Sequence, residues 1–229
     1  MSNKHSFIEF GDPNQKTILF LHGYGDTKEL FTPLLEKLQD KYHCISVDLC
    51  MNNRPFEKVE FKNLHLHIEE FISKRKIKNI TLVGFSLGGL VATKIAHTRP
   101  NNVKKLYLLN VLPQILTSKR QYAIYKPLKK FLSSRRIHKA STPVVSKERK
   151  PKIPFRPTLF NVIDTNLTDE FNQLNIPKTI ALFEDDNIFL YKLAKKILPK
   201  IKADIKVFKE GSHASKPIYW DHVQTLFDP

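Results

Sequence analysis

The sequence predicts an α/β protein, with a mostly parallel central sheet flanked by helices and one basic insertion. Three observations carry that expectation. Short apolar or β-branched runs bounded by turn residues alternate with longer stretches of helical spacing, the pattern of strand–helix–strand units. Most of the glycines gather in three loops, each just after a strand. The alternation also stops between residues 112 and 160 and then resumes. A chain of 229 residues suits one domain with an insertion, at roughly 100 to 200 residues per domain. Apolar residues at 41% and charged ones at 26% supply a core and exclude wholesale disorder.

Taken in order, Thr17–Leu21 (TILFL) is the first strong strand. Thr27–Tyr42 reads as helix, because Leu30, Leu34, Leu35 and Leu38 fall on one face. His43–Leu49 is the next strand, Leu64–Lys76 a helix, Asn79–Val83 a strand, Leu87–Thr98 a helix and Lys105–Val111 a strand. From Leu112 to about Phe160 the chain is rich in Lys, Arg, Ser and Pro. Prolines 127, 143, 151, 154 and 157 deny this stretch long regular elements. Thr179–Phe183 and Asp204–Phe208 are the last strands, with helical patterns near Leu190–Leu198 and Pro217–Phe227. Residues 1–111 and 161–229 are therefore expected to form the sheet core, and 112–160 an inserted cap segment.

Several classes are set aside by what the chain lacks. The opening MSNKHSFIEF has no apolar run of the signal-peptide kind, and the longest mainly apolar stretch, Ile80–Ala92, falls short of the roughly 20 residues that span a bilayer. A cytoplasmic protein is expected. Cys44 and Cys50 form no CxxC pair and no Cys/His cluster, so neither a metal site nor a disulfide framework is anticipated.

Only 7 of the 229 residues are glycine, and six of these occupy three places. Gly23 and Gly25 follow the first strand, Gly84, Gly88 and Gly89 surround Ser86, and Gly211 stands two residues before His213. Glycine is wanted where backbone adopts unusual dihedrals or approaches something closely. All three loops lie at strand C-terminal ends, where open α/β sheets place their ligands. The central one, Gly84-Phe85-Ser86-Leu87-Gly88, is G-x-S-x-G between the strand Ile80-Thr81-Leu82-Val83 and a helix. In that context a serine occupies a strained turn with its hydroxyl clear of the sheet, the setting of a nucleophile. Ser86 is the expected nucleophile.

With these motifs the chain resembles the α/β-hydrolase superfamily over nearly all its length outside the insertion. The loop Leu21-His22-Gly23-Tyr24-Gly25 resembles the family's HG loop, so the resemblance implies that the backbone N–H groups of Tyr24 and Leu87 form an oxyanion hole. His22 itself is read as a structural histidine that shapes the loop. Glu184-Asp185-Asp186-Asn187-Ile188 is similar to the family's acid loop, and that alignment favours Asp186 over Asp185. Lys209-Glu210-Gly211-Ser212-His213 resembles its terminal histidine loop, implying His213 as general base. A serine at position 86 disfavours the dehalogenase and epoxide-hydrolase branches, which would need Asp there. The motifs His-Gly-Tyr-Gly and Gly-Phe-Ser-Leu-Gly-Gly-Leu-Val-Ala look most like small microbial carboxylesterases such as the pimeloyl-acyl-carrier-protein methyl ester esterase. The resemblance implies no cofactor and a small-molecule acyl ester or thioester as substrate. One departure stands at Leu49 to Pro55, where the family often shows Pro-Gly-x-Gly-x-Ser.

Two other readings use the same sequence. Gly23-Tyr24-Gly25 after a strand, with Asp48 ending the next, suggests dinucleotide binding, but Lys28 stands where the third glycine belongs. A polyanion- or nucleic-acid-binding module rests on the insertion: Lys119 to Arg156 holds 13 Lys or Arg and one acid, Glu148, which is three quarters of the chain's net charge of +16. Tyr122, Tyr125, Phe131 and Phe155 interleave with these cations, as in single-strand binders. Nucleic acid is the weaker match, since a hydrolase pocket beneath the patch would serve no purpose. An acidic acyl carrier protein or coenzyme A suits both features, with Arg135, Arg136 and Lys139 as expected carrier- or substrate-binding residues.

Overall fold

The computed structural model describes residues 5–49, 60–114, 165–186, 191–214 and 217–228. Among them one sheet holds seven strands: β1 (Phe7–Phe10), β2 (Thr17–Leu21), β3 (His43–Val47), β4 (Ile80–Phe85), β5 (Val103–Leu109), β6 (Lys178–Phe183) and β7 (Asp204–Phe208). Their order is β1-β3-β2-β4-β5-β6-β7. Only β1 runs antiparallel, pairing Phe7 with Val47 and Phe10 with Cys44; every other pair is parallel.

Period-two alternation distributes the strand residues to two cores. Leu19, Leu21, Ile45, Val47, Leu82, Leu106, Leu108 and Leu182 face α2 (Phe61–Lys74) and α3 (Leu87–Thr98). Ile18, Phe20, Cys44, Val83, Phe85, Leu109 and Phe183 face α1 (Thr32–Leu38) and the C-terminal helix. Strands covered on both faces need apolar residues at most positions, which is why β2 (TILFL), β3 (HCISV) and β4 (ITLVGF) are mainly apolar rather than strictly alternating. Among the described residues three further short α-helices follow: α4 (Thr168–Gln173), α5 (Tyr191–Ala194) and α6 (Ile218–Gln224), the last packing Tyr219, Trp220 and Val223 into the second core.

Thr17–Leu21, Leu87–Thr98 and Asp204–Phe208 occupy the spans their patterns predict. The helix expected over Thr27–Tyr42 is a 3₁₀ turn, Lys28–Phe31, leading into α1, with Pro33 in the first turn where its missing N–H costs nothing. The strand expected at Lys105–Val111 begins two residues earlier, and that at Asn79–Val83 extends to Phe85. β1 and α4 have no counterpart in the sequence reading.

The described ends of the insertion meet. An antiparallel bridge joins Gln114 to Asn166, and the Leu167 N–H donates to the Pro113 carbonyl at 2.7 Å. The chain thus leaves and returns through one stem at the C-terminal end of β5, and the adjacent strands β5 and β6 flank it in sequence. Arg135, Arg136, Lys139 and Cys50 lie outside the described residues. Cys44 is buried and free, and burial pushes its thiol up to about 12, which makes it inert at neutral pH. Among the described residues no helix is long and apolar enough to cross a membrane.

Candidate active site

Ser86 joins the end of β4 to the start of α3 with φ 51° and ψ −119°, a conformation that disfavours any side chain. Its N–H donates to the Leu109 carbonyl of β5 at 2.9 Å, which ties the turn to the sheet. The glycines around it are there for clearance. A Cβ on Gly84 would stand 2.4 Å from the Gly89 Cα, one on Gly88 2.0 Å from the Leu21 carbonyl oxygen, and one on Gly89 2.4 Å from a Val111 methyl. The turn is therefore threaded between β2, β5 and its own helix, and the surroundings over-determine a backbone that would otherwise relax.

The loop after β2 is organised by His22, which is fully buried. The Leu49 N–H donates to its Nε2 at 3.0 Å, so the proton sits on Nδ1, which donates to the Gly23 carbonyl at 2.8 Å. Burial holds this imidazole below its usual pKa, and the ring is neutral. Because C=O and N–H of one trans peptide point in opposite directions, anchoring the Gly23 carbonyl on His22 turns the Tyr24 N–H away from it. Asp48 accepts the Lys28 N–H at 2.7 Å and lies 3.3 Å from Lys28 Nζ, so the carboxylate that a dinucleotide ribose would need is already engaged.

Asp185 and Asp186 follow β6 and do different things. Asp186, 4% exposed, receives His213 Nδ1 at 2.7 Å on Oδ2. The same oxygen accepts from Asn110 Nδ2. Asn110, set just after β5 at φ 52°, also donates to the Ser212 carbonyl at 3.2 Å and accepts the Tyr219 hydroxyl at 2.7 Å. Burial, with Asp186 and Asp26 nearby, pushes the Tyr219 phenol well above its usual range, which keeps it a donor. Asp185 instead accepts the N–H of Ser212 at 2.7 Å, that of Gly211 at 3.3 Å and the Ser212 hydroxyl at 3.2 Å. Ser212 and Ala214, on either side of His213, both have positive φ without being glycine, and these bonds hold that unfavourable loop in shape.

His213 packs its ring on Phe85, centroids 4.7 Å apart, so it lies against the residue preceding Ser86. Ser86, Leu87, Tyr24, Asp186 and His213 thus converge at the C-terminal edge of β2, β4, β6 and β7. Asn110 and Tyr219 belong to the same site and were not anticipated. The signal for Asn110 is weak but present: a lone polar residue closing the apolar run of β5. Tyr219, inside an ordinary helical pattern, offers none. Among the described residues one group carries donor atoms close enough for a metal, His5, His67 and Glu70, and none of the three belongs to this site.

A parallel sheet covered on both faces, with a glycine-flanked serine at a strand–helix turn, defines the α/β-hydrolase class. The chain belongs to the alpha/beta hydrolase fold family, whose model matches residues 16–143. It is 34% identical over 100 residues to a pimeloyl-[acyl-carrier protein] methyl ester esterase from Pseudoalteromonas atlantica, covering 42% of this chain and 37% of that protein. It is 30% identical over 120 residues to a biotin biosynthesis bifunctional protein from Teredinibacter turnerae, covering 50% of this chain and 20% of that one. The chain thus matches well under half the length of these curated relatives. In three dimensions it resembles an esterase from Exiguobacterium antarcticum, with a TM-score of 0.79 at 18% identity over 97% of this chain and 93% of the other. At that identity the likeness is one of fold.

Proposed function

We propose that this protein hydrolyses a carboxylic ester or thioester through an acyl-enzyme on Ser86. The observation that carries this reading is the 2.7 Å bond between Asp186 and His213 Nδ1, with the ring laid on Phe85 beside the serine. Asp186 fixes the tautomer that leaves Nε2 free to take the Ser86 hydroxyl proton as Oγ bonds to the acyl carbon. The carbonyl oxygen becomes an oxyanion, received by the N–H groups of Tyr24 and Leu87; the latter opens α3, whose positive dipole end favours the charge. As the tetrahedral intermediate collapses, the imidazolium returns the proton to the departing alcohol or thiol. Water, deprotonated by His213, then releases the acid and regenerates Ser86.

A fluorophosphonate probe labels the wild-type protein under this scheme, and Ser86→Ala abolishes both labelling and hydrolysis, by up to about a million-fold in kcat if the three residues act as a unit. Labelling that survives the substitution would remove Ser86 from the role.

For the substrate, the +12 insertion and the printed substrate of the Pseudoalteromonas relative together support an acyl group carried on an acidic carrier protein or on coenzyme A. Arg135, Arg136 and Lys139 are the proposed contacts. No cofactor enters this chemistry.

A further inference from the structure

The segment that enters β1 lies against α2, and the two meet with matched periods. Alternate residues of an extended chain share one side, and residues four apart share one face of a helix. His5, Phe7 and Glu9 fall together on the first, and His67, Phe71 and Arg75 on the second. They pair in that order. The His5 and His67 rings stand 4.3 Å apart between centroids and 31° from parallel, and the Phe7 and Phe71 rings 5.3 Å apart. The Arg75 guanidinium donates to both oxygens of Glu9 at 2.7 and 2.9 Å. An apolar pair and an ionic pair thus hold β1 to the helix, and beside them stands a pair of imidazoles.

Glu70 joins the imidazoles. It stands three residues after His67 on the same face of α2, and its Oε2 lies 4.0 Å from His5 Nε2. His5, His67 and Glu70 each bring one donor atom within 4.8 Å of the other two. Two imidazoles and a carboxylate form a donor set that suits zinc-class ions, whereas Mg²⁺ and Ca²⁺ favour oxygen ligands alone. Packing fixes one side of the cluster: the His5 side chain is 7% exposed and also lies against Phe71, with centroids 5.3 Å apart. Glu70, at 43%, is the adjustable member. Donor atoms around a tetrahedral ion at about 2.1 Å lie roughly 3.4 Å from one another, so closure asks for a movement of about 1 Å. Lys74 Nζ meets Glu70 Oε1 at 2.6 Å, which leaves Oε2 to turn inward. His5 Nε2 donates to the His67 carbonyl at 3.0 Å, so ligation through Nε2 exchanges that bond for one to the ion and moves the proton to Nδ1.

We propose that His5, His67 and Glu70 form a binding site for a divalent ion of the zinc class, which clamps the segment before β1 to α2. β1 is the antiparallel edge strand and pairs with β3 alone, so a bond from its approach segment to a helix secures the element of the sheet with the fewest partners. Three protein ligands leave one position to water. The ion's role here is structural: it joins residue 5 to residue 67 and restricts the unfolded chain as a cross-link does. None of the three residues belongs to the hydrolytic site, so the inference stands independently of the Ser86 assignment.

The full chain, without a histidine tag and stripped by a chelator that is then removed, is titrated with Zn²⁺ and separately with Mg²⁺ in a calorimeter, and its melting temperature is followed against each ion. One Zn²⁺ should bind per chain, Mg²⁺ should not bind at the same concentrations, and the melting temperature should rise with Zn²⁺ alone. His5→Gln, His67→Gln and Glu70→Gln should each weaken Zn²⁺ binding by at least about 10-fold, since loss of even an outer-shell partner costs that much. The rise in melting temperature should shrink with them. His97→Gln, on α3 and outside the cluster, should leave both readouts as in the wild type. Losses below about 10-fold in His5→Gln and His67→Gln would mean that the ion is held elsewhere, and they overturn the proposal. So does Zn²⁺ binding no tighter than that of Mg²⁺. Glutamine is a good helix former at position 67, and His5 precedes the first strand, so its variant decides the matter even if His67→Gln does not fold.

Discussion

Two adjacent acids illustrate how a single residue's job is set by the loop it stands on. Asp186, buried, meets the ring of His213, while Asp185 meets the backbone on which that ring is mounted. Asp186→Asn should lower kcat by about 10⁴-fold, because an amide can donate to Nδ1 and so favours the wrong tautomer. Asp185→Asn keeps one acceptor and should cost much less in kcat, with a lower melting temperature as the positive-φ loop loosens. Kinetics on the two variants, with calorimetry, separates the roles; a reversed order of costs would transfer the part to Asp185. His22 gives a pH-dependence of stability. Its pKa is lowered on folding, so the unfolded chain binds more protons as pH falls through about 6.5. Its contribution is complete above the unfolded pKa and is lost progressively below it, toward the lower folded value. Denaturation midpoints measured from pH 8 to pH 5 should fall on acidification, and His22→Gln should flatten that slope while lowering stability at pH 8.

At the scale of elements, the β4–Ser86–α3 junction depends on three backbones crossing where no side chain fits. Gly88→Ala would drive a methyl into the Leu21 and His22 carbonyls, 2.0 and 2.6 Å from its Cβ. It should destabilise by at least about 1 to 3 kcal/mol in chemical denaturation and abolish probe labelling, because the serine cannot hold its turn once β2 and α3 are pushed apart. This junction was the most legible part of the sequence, since its requirements are local: glycines at fixed offsets, an apolar run before and a helical pattern after. The histidine and acid loops were legible for the same reason, each just past a β-rich run. What was not legible is pairing at a distance. Asn110 and Tyr219 are 109 residues apart, and neither carries a local pattern that announces the other. β1 is four residues, FIEF, half-buried at the sheet edge, and its alternation is too short to distinguish from a loop. The expected single helix over Thr27–Tyr42 failed in detail because apolar spacing persists across a 3₁₀ turn and into the following residues.

For the whole molecule the organising quantity is charge. Lys119 to Arg156 carries 13 cations and one acid, whereas the rest of the chain is close to balanced, so the field of this protein originates largely in one segment. That segment leaves and returns at the Gln114–Asn166 stem, a few residues beyond Asn110, which bonds to Asp186 after β6 and to the Ser212 carbonyl beside His213 after β7. A field anchored there would raise the local concentration of an anionic substrate at the active-site edge and speed its capture, an effect screened over a Debye length of about 8 Å at physiological salt. The expected consequence is a split between substrates. The kcat/KM for an acyl group on an acidic carrier should drop steeply between low and moderate salt, while a small neutral ester remains nearly unaffected, because only the first relies on long-range attraction. Charge reversal at Arg135, Arg136 and Lys139 should reproduce the carrier-specific loss at low salt and leave hydrolysis of the neutral ester intact. Equal salt dependence for both substrates would mean that the cations merely solvate the surface, and the carrier would then have to be recognised by the acyl pocket alone.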